Sequence, residues 1–537
     1  MLLHEILVAA AREVPDRTAL IVPGHPFRTR PAAAVADPSS GPADPSTTSW
    51  TFAELAARSR ALAATVAERT SPGARVGILA HNRAEYVAAY YGVPWAGRVL
   101  VPLNPRLHPR EWADQLARSG AELLLGDTDL LGALAWPGGP SLELGAAVTA
   151  EHTDAGWSAD DPWSGTTFDP AADESALTWL LFTSGTTGRP KGVRLTHRSL
   201  TAAMRASLAC RPVDPDTVVL TPFPLAHVAG YQVLAHHLAR RPVVVLRRYL
   251  PSELAAVARE YEVTSLSLAP TMIDALLDHV REGDGLRERI RSISYGASPI
   301  TPELIRRVDG LLGCGLGQGY GMTELSGNAV FLTAADHRNA ATDRPHLYSA
   351  AGRPGPGVEI RIVDDAGRPL PVGAAGEIAV RSEQVADGYW QVDTGEFATG
   401  WFRTGDLGRL DAEGYLYVLD RKKDVIITGG ENVSAREVEA VLREHPGVRE
   451  VAVVGEPDTR WGERVVAVVV PTAGHTLDPD ELVTLCRAHL AGFKVPRRVV
   501  FTDALPVTGT GKVSKPALRE RVVESSRADS GDARTRS

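Results

Sequence analysis

A segment rich in glycine and hydroxyl side chains, residues 181–192, has the composition best suited to chemistry in this sequence. It reads LFTSGTTGRPKG and follows an apolar run, residues 176–180, that is typical of a buried strand. Glycines let the backbone approach an anion closely, while hydroxyl groups, backbone N–H groups and an ammonium group donate hydrogen bonds to phosphate oxygens. The segment therefore predicts a polyphosphate-binding loop at a sheet edge, and a surface turn is the alternative. The residues concerned are Thr183, Ser184, Gly185, Thr186, Thr187, Gly188 and Lys191.

Spacing excludes two other nucleotide-binding motifs. A Walker A loop ends in Gly-Lys-Ser or Gly-Lys-Thr, whereas here Arg189 and Pro190 separate Gly188 from Lys191. A second glycine-rich stretch, residues 313–321, never shows the Gly-x-Gly-x-x-Gly spacing of a dinucleotide fingerprint. The sequence therefore predicts a phosphate site of neither type.

Lysine is rare in this chain. Among 57 basic residues the lysines are Lys191, Lys422, Lys423, Lys494, Lys512 and Lys515, and all lie in glycine-rich or hinge-like stretches. Where arginine is so preferred, a lysine indicates a place that needs a compact and flexible point charge. Chance clustering is the alternative. We interpret these lysines as markers of phosphate chemistry.

Length, charge and cysteine content limit the class of protein. The chain has 537 residues, more than one ordinary core holds, so we expect two or more domains. Its net charge of −8 offers no basic field for nucleic acid. Three scattered cysteines argue against a disulfide framework or a zinc site and favour a reducing, cytoplasmic location. We expect no signal peptide and no transmembrane segment, because no run approaches the roughly 20 apolar residues that span a bilayer.

Strands and helices alternate along the first 350 residues, which predicts an α/β fold with a largely parallel sheet covered on both faces. Residues 24–49 and 131–175 are rich in Pro, Ala, Gly and Asp and are predicted to be irregular. From about residue 350, short strands with turn signals predict a small barrel or a distorted sheet. A compact α/β piece is predicted over residues 434–501.

Six motifs, in their order and spacing, resemble those of the adenylate-forming superfamily of acyl-CoA synthetases, adenylation domains and firefly-type luciferases. They are the loop at 181–192, PFPLAH at 222–227, YGMTE at 320–324, TGD at 404–406, RKKD at 421–424 and PVTGTGK at 506–512. The resemblance implies a large N-terminal domain of doubly wound sheets with a small β-barrel-like subdomain, followed by a small mobile α/β domain. The corresponding boundaries are 1–420 for the first domain, 421–424 for a hinge, 425–525 for the C-terminal lid domain and 526–537 for a disordered tail.

This resemblance implies a two-step reaction. A small-molecule carboxylic acid attacks ATP to give an acyl-adenylate and pyrophosphate, and a thiol then takes the acyl group. ATP, Mg²⁺ and coenzyme A are the expected cofactors, because positioned donors and a metal stabilise the charge of the first step. By resemblance, the loop holds the β- and γ-phosphates, Thr323 contacts the α-phosphate and Glu324 binds Mg²⁺. The expected adenine and ribose contacts are Gly296, Ala297, Ser298, Gly319, Tyr320, Gly321, Asp406 and Arg421.

Single residues of this set have plainer interpretations when taken alone. Tyr320 is then more often a core aromatic residue, Glu324 a helix-capping acid and His227 a structural donor. Only the whole constellation favours the catalytic roles.

Lys512 is the residue expected to act in the first step. By resemblance its ammonium group reaches the carboxylate and the α-phosphate, and a solvated surface lysine is the alternative. Lys423 lies where the superfamily has its interdomain hinge, and rotation there would withdraw Lys512 before the thiol enters. The residues expected at the thiol tunnel are His227, Gly429, Gly430 and, toward the phosphates of coenzyme A, Lys494.

The acyl pocket is predicted to be roomy and apolar. Family analogy places small residues on its walls, and these are Val228, Ala229, Gly230, Gly315 and Gly317. The expected substrate is therefore a bulky hydrophobic or alicyclic acid.

The sequence leaves three interpretations of function. The leading one is an AMP-forming acyl-CoA ligase, because the segment 431–433 resembles that of fatty and aromatic acyl-CoA ligases. The second is a stand-alone adenylating enzyme that loads the phosphopantetheine arm of an acyl carrier protein, and the third is a non-catalytic nucleotide-binding regulator. The resemblance also allows a lysine acetyltransferase to switch the enzyme off at Lys512. A monomer or a homodimer is expected.

Overall fold

The chain forms two compact units in this computed structural model. The first comprises Met1–Ile360, Val380–Phe402 and Gly414–Leu416, and the second comprises Arg361–Ala379, Arg403–Glu413 and Tyr417–Ser537. The residues described are 1–24, 47–134, 136–148, 173–183, 190–296, 300–392, 395–397, 400–421, 424–428, 431–458, 461–490, 492–508 and 512–534. The predicted boundaries at residues 420, 424 and 525 stay predictions.

The helices divide between the units. Those of the first unit are α1 (Leu3–Glu13), α2 (Phe52–Arg69), α3 (Ala84–Trp95), α4 (Pro109–Ser119), α5 (Thr128–Ala133), α6 (Leu144–Ala147), α7 (His197–Cys210), α8 (Tyr231–Leu238), α9 (Pro251–Glu260), α10 (Pro270–Leu277), α11 (Leu286–Arg289), α12 (Pro302–Leu311) and α13 (Ala334–Thr342). Those of the second unit are α14 (Ala435–Arg443), α15 (Pro479–His489) and α16 (Lys515–Arg534). Short 3₁₀ helices lie at Val228–Gly230, Thr323–Leu325 and Pro345–Ser349.

Two large sheets form the frame of the first unit. One contains β1 (Thr18–Val22), β2 (Thr48–Thr51), β9 (Val219–Thr221), β10 (Val243–Val245), β11 (Ser265–Leu268), β12 (Ser292–Gly296), β13 (Gly315–Met322), β14 (Gly327–Leu332) and β15 (Arg353–Pro354). The other contains β3 (Arg75–Leu79), β4 (Val99–Pro102), β5 (Ala121–Gly126), β6 (Ser141–Glu143), β7 (Leu177–Thr183) and β8 (Lys191–Thr196).

Parallel pairing dominates the centre of both sheets. The first sheet has the order β15-β14-β13-β12-β11-β9-β10-β1-β2, with parallel pairs from β13 to β1 and antiparallel pairs at both ends. The second has the order β6-β5-β3-β4-β7-β8 and ends in the antiparallel pair β7 and β8. The alternation of strands and helices along the chain produces this arrangement, because parallel neighbours need a crossover between them.

Helix α3 shows how the core of the first unit is built. Its sequence, AEYVAAYYGVPW, is apolar on all sides, and every residue except Glu85 is buried. A helix of that kind needs packing partners around its whole circumference. Its large side chains, with Trp179 of β7, belong to one continuous apolar cluster.

The second unit contains two smaller sheets. One has the order β16 (Val358–Val363), β17 (Gly376–Ser382), β18 (Phe402–Leu410) and β19 (Leu416–Arg421). The other contains β20 (Ile426–Thr428), β21 (Glu431–Val433), β22 (Val448–Asp458), β23 (Gly462–Pro471) and β24 (Arg498–Phe501). Successive side chains of β22 and β23 point to opposite faces, and both faces are rich in buried valine. Side chains of α14 and α15 belong to the apolar cluster on one face, and Leu518 and Val522 of α16 to that on the other.

Most predicted elements are present, and the small barrel or distorted sheet expected after residue 350 is a four-stranded sheet. The structure corrects two other expectations. Strand β6 and helix α6 lie within 131–175, which was predicted to be irregular. The glycine-rich residues 315–322 form a full strand, β13, rather than a strand end. The backbone of α16 is helical to Arg534, and the predicted tail from residue 526 stays a prediction.

Polar contacts hold α16 beyond its apolar contacts. The guanidinium group of Arg498 contacts the hydroxyl groups of Ser525 and Ser526, and Ser526 also donates to Glu456 at 2.5 Å. These contacts hold the helix for one turn beyond its last buried apolar residue, Val522. Among the described residues, no helix is long and apolar enough to cross a membrane.

Candidate active site

The glycine-rich segment forms the connection of a β-hairpin. Thr183 of β7 and Lys191 of β8 are paired residues, so the connection joins two strand ends held side by side. Arg118 fixes its base, because its Nη1 donates to the carbonyl oxygen of Pro190 at 2.7 Å and its guanidinium group lies 5.3 Å from the ring of Phe182. The predicted loop residues Ser184, Gly185, Thr186, Thr187 and Gly188 lie outside the described residues.

Lys191 has two partners that the sequence did not indicate. Its Nζ lies 3.5 Å from Oε1 of Glu396 and 4.6 Å from the centre of the Tyr389 ring, and its side chain is only 14% exposed. The segment that carries these partners runs along β8, because the N–H of Trp390 donates to the carbonyl oxygen of Gly192 at 2.7 Å. An anion that enters the hairpin connection would therefore compete with Glu396 for the ammonium group.

Glu324 belongs to the same cluster. It lies in the 3₁₀ turn after β13, and the hydroxyl group of Tyr389 donates to its Oε1 at 3.0 Å. Burial, and then the negative charges of Glu324 and Glu396, raise the pKa of Tyr389 well above its usual value, so the hydroxyl group stays protonated and remains a donor. Tyr389 thus links Glu324, the predicted metal ligand, to Lys191, the predicted phosphate ligand.

The cluster fits Mg²⁺ bound through a nucleotide. In the described part of the chain, no group of three or more His, Cys, Asp and Glu side chains could hold a metal ion. Mg²⁺ is commonly held by one or two carboxylates together with substrate phosphates and water. A single carboxylate such as Glu324, positioned by Tyr389 near a lysine, matches that requirement.

We expect Tyr389→Phe to raise the KM for MgATP about tenfold, because a hydrogen bond to a charged group contributes roughly 1.5–3 kcal/mol. The phenyl ring would still cover Lys191, so kcat at saturating Mg²⁺ should change little. Steady-state kinetics at several Mg²⁺ concentrations would measure this split. Tyr348→Phe, at a half-buried tyrosine of the same unit, is the control. Equal losses of kcat at every Mg²⁺ concentration would contradict the assignment.

The glycines of β12 and β13 are required by close packing of strands. Gly296 pairs with Gly319, and a Cβ on Gly296 would lie 2.7 Å from the carbonyl oxygen of Gly319. A Cβ on Gly321 would lie 2.0 Å from the carbonyl oxygen of Gly327. Tyr320, between Gly319 and Gly321, is half-buried. Backbone contacts therefore require glycine at positions 296 and 321 of the expected adenine site, while Ala297 and Ser298 lie outside the described residues.

His227 is held by asparagines that follow two parallel strands. Nδ2 of Asn104, after β4, donates to Nε2 of His227 at 3.2 Å. The neutral imidazole then carries its proton on Nδ1, because Nε2 acts as the acceptor. Asn82, after β3, donates to the carbonyl oxygens of Phe223 and Leu246 and accepts from the N–H of Leu225, each at 2.8 Å. The histidine is therefore a positioned group on a rigid loop.

Sequence reasoning missed both asparagines, although a signal for them exists. Each follows a strand of a parallel sheet, and ligands of such sheets bind at the carboxyl ends of the strands. Polar residues directly after β3 and β4 were therefore candidates.

Gly230 does not create room for an acyl group as predicted. A Cβ on Gly230 would lie 1.9 Å from the hydroxyl oxygen of Tyr90, which donates to the carbonyl oxygen of Leu225. The space beside Gly230 is thus filled by Tyr90. Val228 and Ala229 precede it in a 3₁₀ turn. Gly315 and Gly317, in contrast, line a cavity between α7, α8 and the sheet.

We expect Gly230→Ala to destabilise the protein by about 1–3 kcal/mol, because the added methyl group overpacks a filled site. Urea unfolding followed by tryptophan fluorescence would measure the change. Gly132→Ala is the matched control, because Gly132 lies in α5 with no atom within 4 Å of its Cβ position. An unchanged unfolding midpoint for Gly230→Ala would contradict the packing argument.

The remaining predicted residues lie in the second unit. Asp406 is buried on β18, where its N–H donates to Oγ1 of Thr404 at 3.1 Å. Arg421 ends β19. Lys494 donates to both carboxylate oxygens of Glu437 at 2.7 Å, so a phosphate group would have to compete with that pair. The predicted hinge and tunnel residues Lys423, Gly429 and Gly430 lie outside the described residues.

Lys512 is exposed at the end of a short turn. The N–H of Thr508 donates to the carbonyl oxygen of Lys512 at 2.7 Å. The backbone N–H of Lys512 donates to Oγ1 of Thr508 at 3.3 Å. Residues Val507 and Val513 pair across this turn. The turn therefore presents the lysine side chain on the surface of its own unit.

Known proteins are similar to this chain over most of its length. The family model described as AMP-binding enzyme matches residues 7–390, and the model described as AMP-binding enzyme C-terminal domain matches residues 437–512. A feruloyl-CoA synthase from an Amycolatopsis species is 36% identical over 485 residues, which cover 88% of this chain and 94% of the relative. ScoC, a fatty acid–[acyl-carrier-protein] ligase from Streptomyces coeruleorubidus, is 35% identical over 465 residues, which cover 84% of this chain and 87% of ScoC. The solved structure of o-succinylbenzoate CoA synthetase from Bacillus subtilis, in complex with its acyl-adenylate intermediate, matches with a TM-score of 0.80 at 30% identity and covers 96% and 97% of the two chains.

Proposed function

The chain belongs to the AMP-binding enzyme family, and we propose that it is an ATP-dependent, AMP-forming acyl-CoA ligase. The observation that carries this proposal is the cluster of Lys191, Tyr389 and Glu324 beside the hairpin connection. A lysine for phosphate oxygens and a carboxylate for Mg²⁺ are what adenylation of a carboxylic acid requires. Relatives named as a CoA synthase and a CoA ligase support coenzyme A as the acceptor of the acyl group.

The first step would use the residues of the first unit. An oxygen of the substrate carboxylate attacks the α-phosphorus of ATP, and pyrophosphate leaves. Lys191 and the donors of the hairpin connection would hold the β- and γ-phosphates, and Thr323 would contact the α-phosphate. Mg²⁺, when bound at Glu324, would neutralise charge that develops on the phosphates. His227, fixed by Asn104, would orient the carboxylate.

The second step would transfer the acyl group. The thiolate of coenzyme A attacks the acyl carbonyl carbon, and AMP leaves with the electron pair of the broken mixed anhydride bond. We propose that Lys512 serves the first step and that a rotation at Lys423 withdraws it before the second. Gly429 and Gly430 would line the path of the thiol, and Lys494 would contact phosphates of coenzyme A.

Regulation, assembly and location remain part of the proposal. Exposure of Lys512 makes it accessible to a lysine acetyltransferase, and acetylation would remove the charge that adenylation needs. A monomer or a homodimer in the cytoplasm is the expected form of the protein.

A carrier protein is the second candidate acceptor. ScoC, which matches 84% of this chain, is named as a ligase that uses an acyl carrier protein. The two acceptors carry the same phosphopantetheine thiol, so the adenylation chemistry would be identical. A coenzyme A ligase and a carrier-protein ligase would differ only in the acceptor of the second step.

The test is pyrophosphate release over a panel of carboxylic acids, with and without coenzyme A, coupled to mass spectrometry of the products. The proposal predicts AMP and acyl-CoA in equal amounts with at least one acid. Adenylate formation without acyl-CoA, and acylation of an added holo carrier protein, would assign the second candidate. ATP binding without turnover of any acid would overturn both and leave the regulator.

A further inference from the structure

A cavity of about 250 Å³ lies in the first unit against the face of the nine-stranded sheet. Helices α7 and α8 and the strands β11, β12 and β13 contribute its walls. Leu208 and Ala235 supply apolar surface, while Ser265, Ser292 and Ser294 supply hydroxyl groups. Its lining is therefore mixed rather than purely apolar.

Arg211, directly after α7, places a positive charge in this cavity. Its guanidinium group lies along β13, where a Cβ on Gly319 would be 2.6 Å from Nη2 and a Cβ on Gly317 would be 3.6 Å from Nε. The absence of side chains at these glycines is what allows the approach. Gly317 and Gly319 face the same side of the strand, because side chains alternate along it.

The partners that the structure gives Arg211 leave its charge uncompensated. Nη2 donates to the carbonyl oxygen of Gly317 at 3.3 Å, the guanidinium carbon lies 5.2 Å from the centre of the Phe331 ring, and Nε is buried without a hydrogen-bond partner. Among the described residues, no carboxylate forms an ion pair with Arg211. Burying a cation is costly unless it is paired and hydrogen-bonded.

Other charged groups of the cavity are already engaged or neutral. Asp214 accepts from Arg291 at 3.3 Å, and Arg291 is also paired with Asp216 at 2.8 Å. Burial lowers the pKa of His236, with a further contribution from Arg211, so this imidazole is neutral at pH 7. Arg211 is thus the group of the cavity that needs an acceptor from outside the chain.

We propose that the acyl group extends into this cavity and that Arg211, whose guanidinium group lies at the end of the cavity nearer Thr323, binds an oxygen acceptor of that group, either a second carboxylate or a neutral carbonyl or hydroxyl oxygen. The substrate class is then a ring-containing acid with an oxygen-bearing distal substituent, rather than a plain hydrocarbon acid. This inference rests on the proposed function, because it takes the cavity as the place of the acid.

Strand geometry sets the length of such an acid. Gly319, beside the guanidinium group, lies four residues before Thr323, the proposed contact of the α-phosphate. At about 3.3 Å per residue, this separation is roughly 13 Å. An acid that places its carboxylate at Thr323 and an oxygen near Arg211 therefore spans a ring and a short side chain, which is about the size of a substituted phenylpropanoate.

The test compares four acids of matched shape: 3-phenylpropanoate and its 4-carboxy, 4-hydroxy and 4-ethyl derivatives. We expect wild-type kcat/KM to favour an oxygenated acid over the 4-ethyl acid by about 10- to 100-fold, and Arg211→Met to abolish that preference. Turnover of the 4-ethyl acid should stay within about threefold, since Met fills similar apolar volume. The 4-carboxy and 4-hydroxy acids separate an anionic from a neutral acceptor.

Two further measurements keep the inference distinct from the proposed function. Arg205→Met replaces an exposed arginine of α7 and controls for general effects of losing a cation. Thermal unfolding of the Arg205→Met and Arg211→Met variants shows whether they fold. Equilibrium binding of the four acids without ATP reports the preference even if none is turned over. Absence of acyl-CoA with every acid would count against the proposed function alone. An equal preference for oxygenated acids in wild type and Arg211→Met would overturn the role of Arg211.

Discussion

Lys512→Ala is expected to lower acyl-adenylate formation by about 100- to 1,000-fold, because it removes the ammonium group that is proposed to stabilise charge in the transition state of the first step. Two hydrogen bonds join Thr508 and Lys512, and neither of them uses the lysine side chain. Loss of the ammonium group should therefore leave the fold of the second unit unchanged. Exchange of labelled pyrophosphate into ATP, with a saturating acid, measures this step.

The second step should survive the same substitution. Acyl-CoA formation from a supplied acyl-adenylate is expected to stay within about threefold of wild type, because Lys512 is proposed to leave the site before the thiol enters. Arg487→Ala, at an exposed arginine on α15 of the same unit, is the matched control. Parallel losses in both steps would show that Lys512 supports structure rather than adenylation, and unchanged exchange would remove it from the mechanism.

Glu324→Gln is the second substitution with a large expected effect. We expect kcat/KM for ATP to fall about 100-fold and the Mg²⁺ concentration for half-maximal rate to rise, because an amide is a much weaker ligand for a hard cation than a carboxylate. The amide oxygen can still accept a hydrogen bond from the hydroxyl group of Tyr389, so we expect the local fold to be preserved. Titration of the rate with Mg²⁺ at fixed ATP separates metal binding from loss of structure.

Glu383→Gln is the control for this experiment, since Glu383 is exposed in the same unit and carries the same charge. It should leave both the rate and the Mg²⁺ dependence unchanged. A Glu324→Gln enzyme with reduced activity but wild-type Mg²⁺ dependence would assign Glu324 to another role, for example capping of the turn at Thr323–Leu325.

The order and type of the main elements were readable from the sequence. Apolar runs bounded by turn residues marked strands such as β7 and β12, and capping residues marked helices such as α4, where His108 and Pro109 begin the helix and Gly120 ends it with a φ of 64°. These signals act within a few residues of one another. Whether the short strands after residue 350 form a barrel or an open sheet was left undecided, because closure depends on pairings between distant segments.

The glycine-rich segment at 181–192, the motif at 320–324 and the glycines of β13 were likewise singled out by residue type and spacing, and their roles stay predictions. The side chains that contact these site residues were not predicted. Glu396 lies 205 residues from Lys191, Tyr389 lies 65 residues from Glu324, and Asn104 lies 123 residues from His227. A motif specifies what one segment offers, while the group that meets it comes from another part of the chain.

By itself, then, the sequence determined the class of fold, the family and the type of enzyme, because these depend on local spacing and on backbone requirements of glycine. Only the tertiary structure decided which side chains hold Lys191, Glu324 and His227, and that the cavity against the nine-stranded sheet contains a buried arginine. Arg211 and Gly317 are 106 residues apart and meet across the face of a sheet. Packing of α7 against β13 sets that contact, and no periodicity along the chain encodes it.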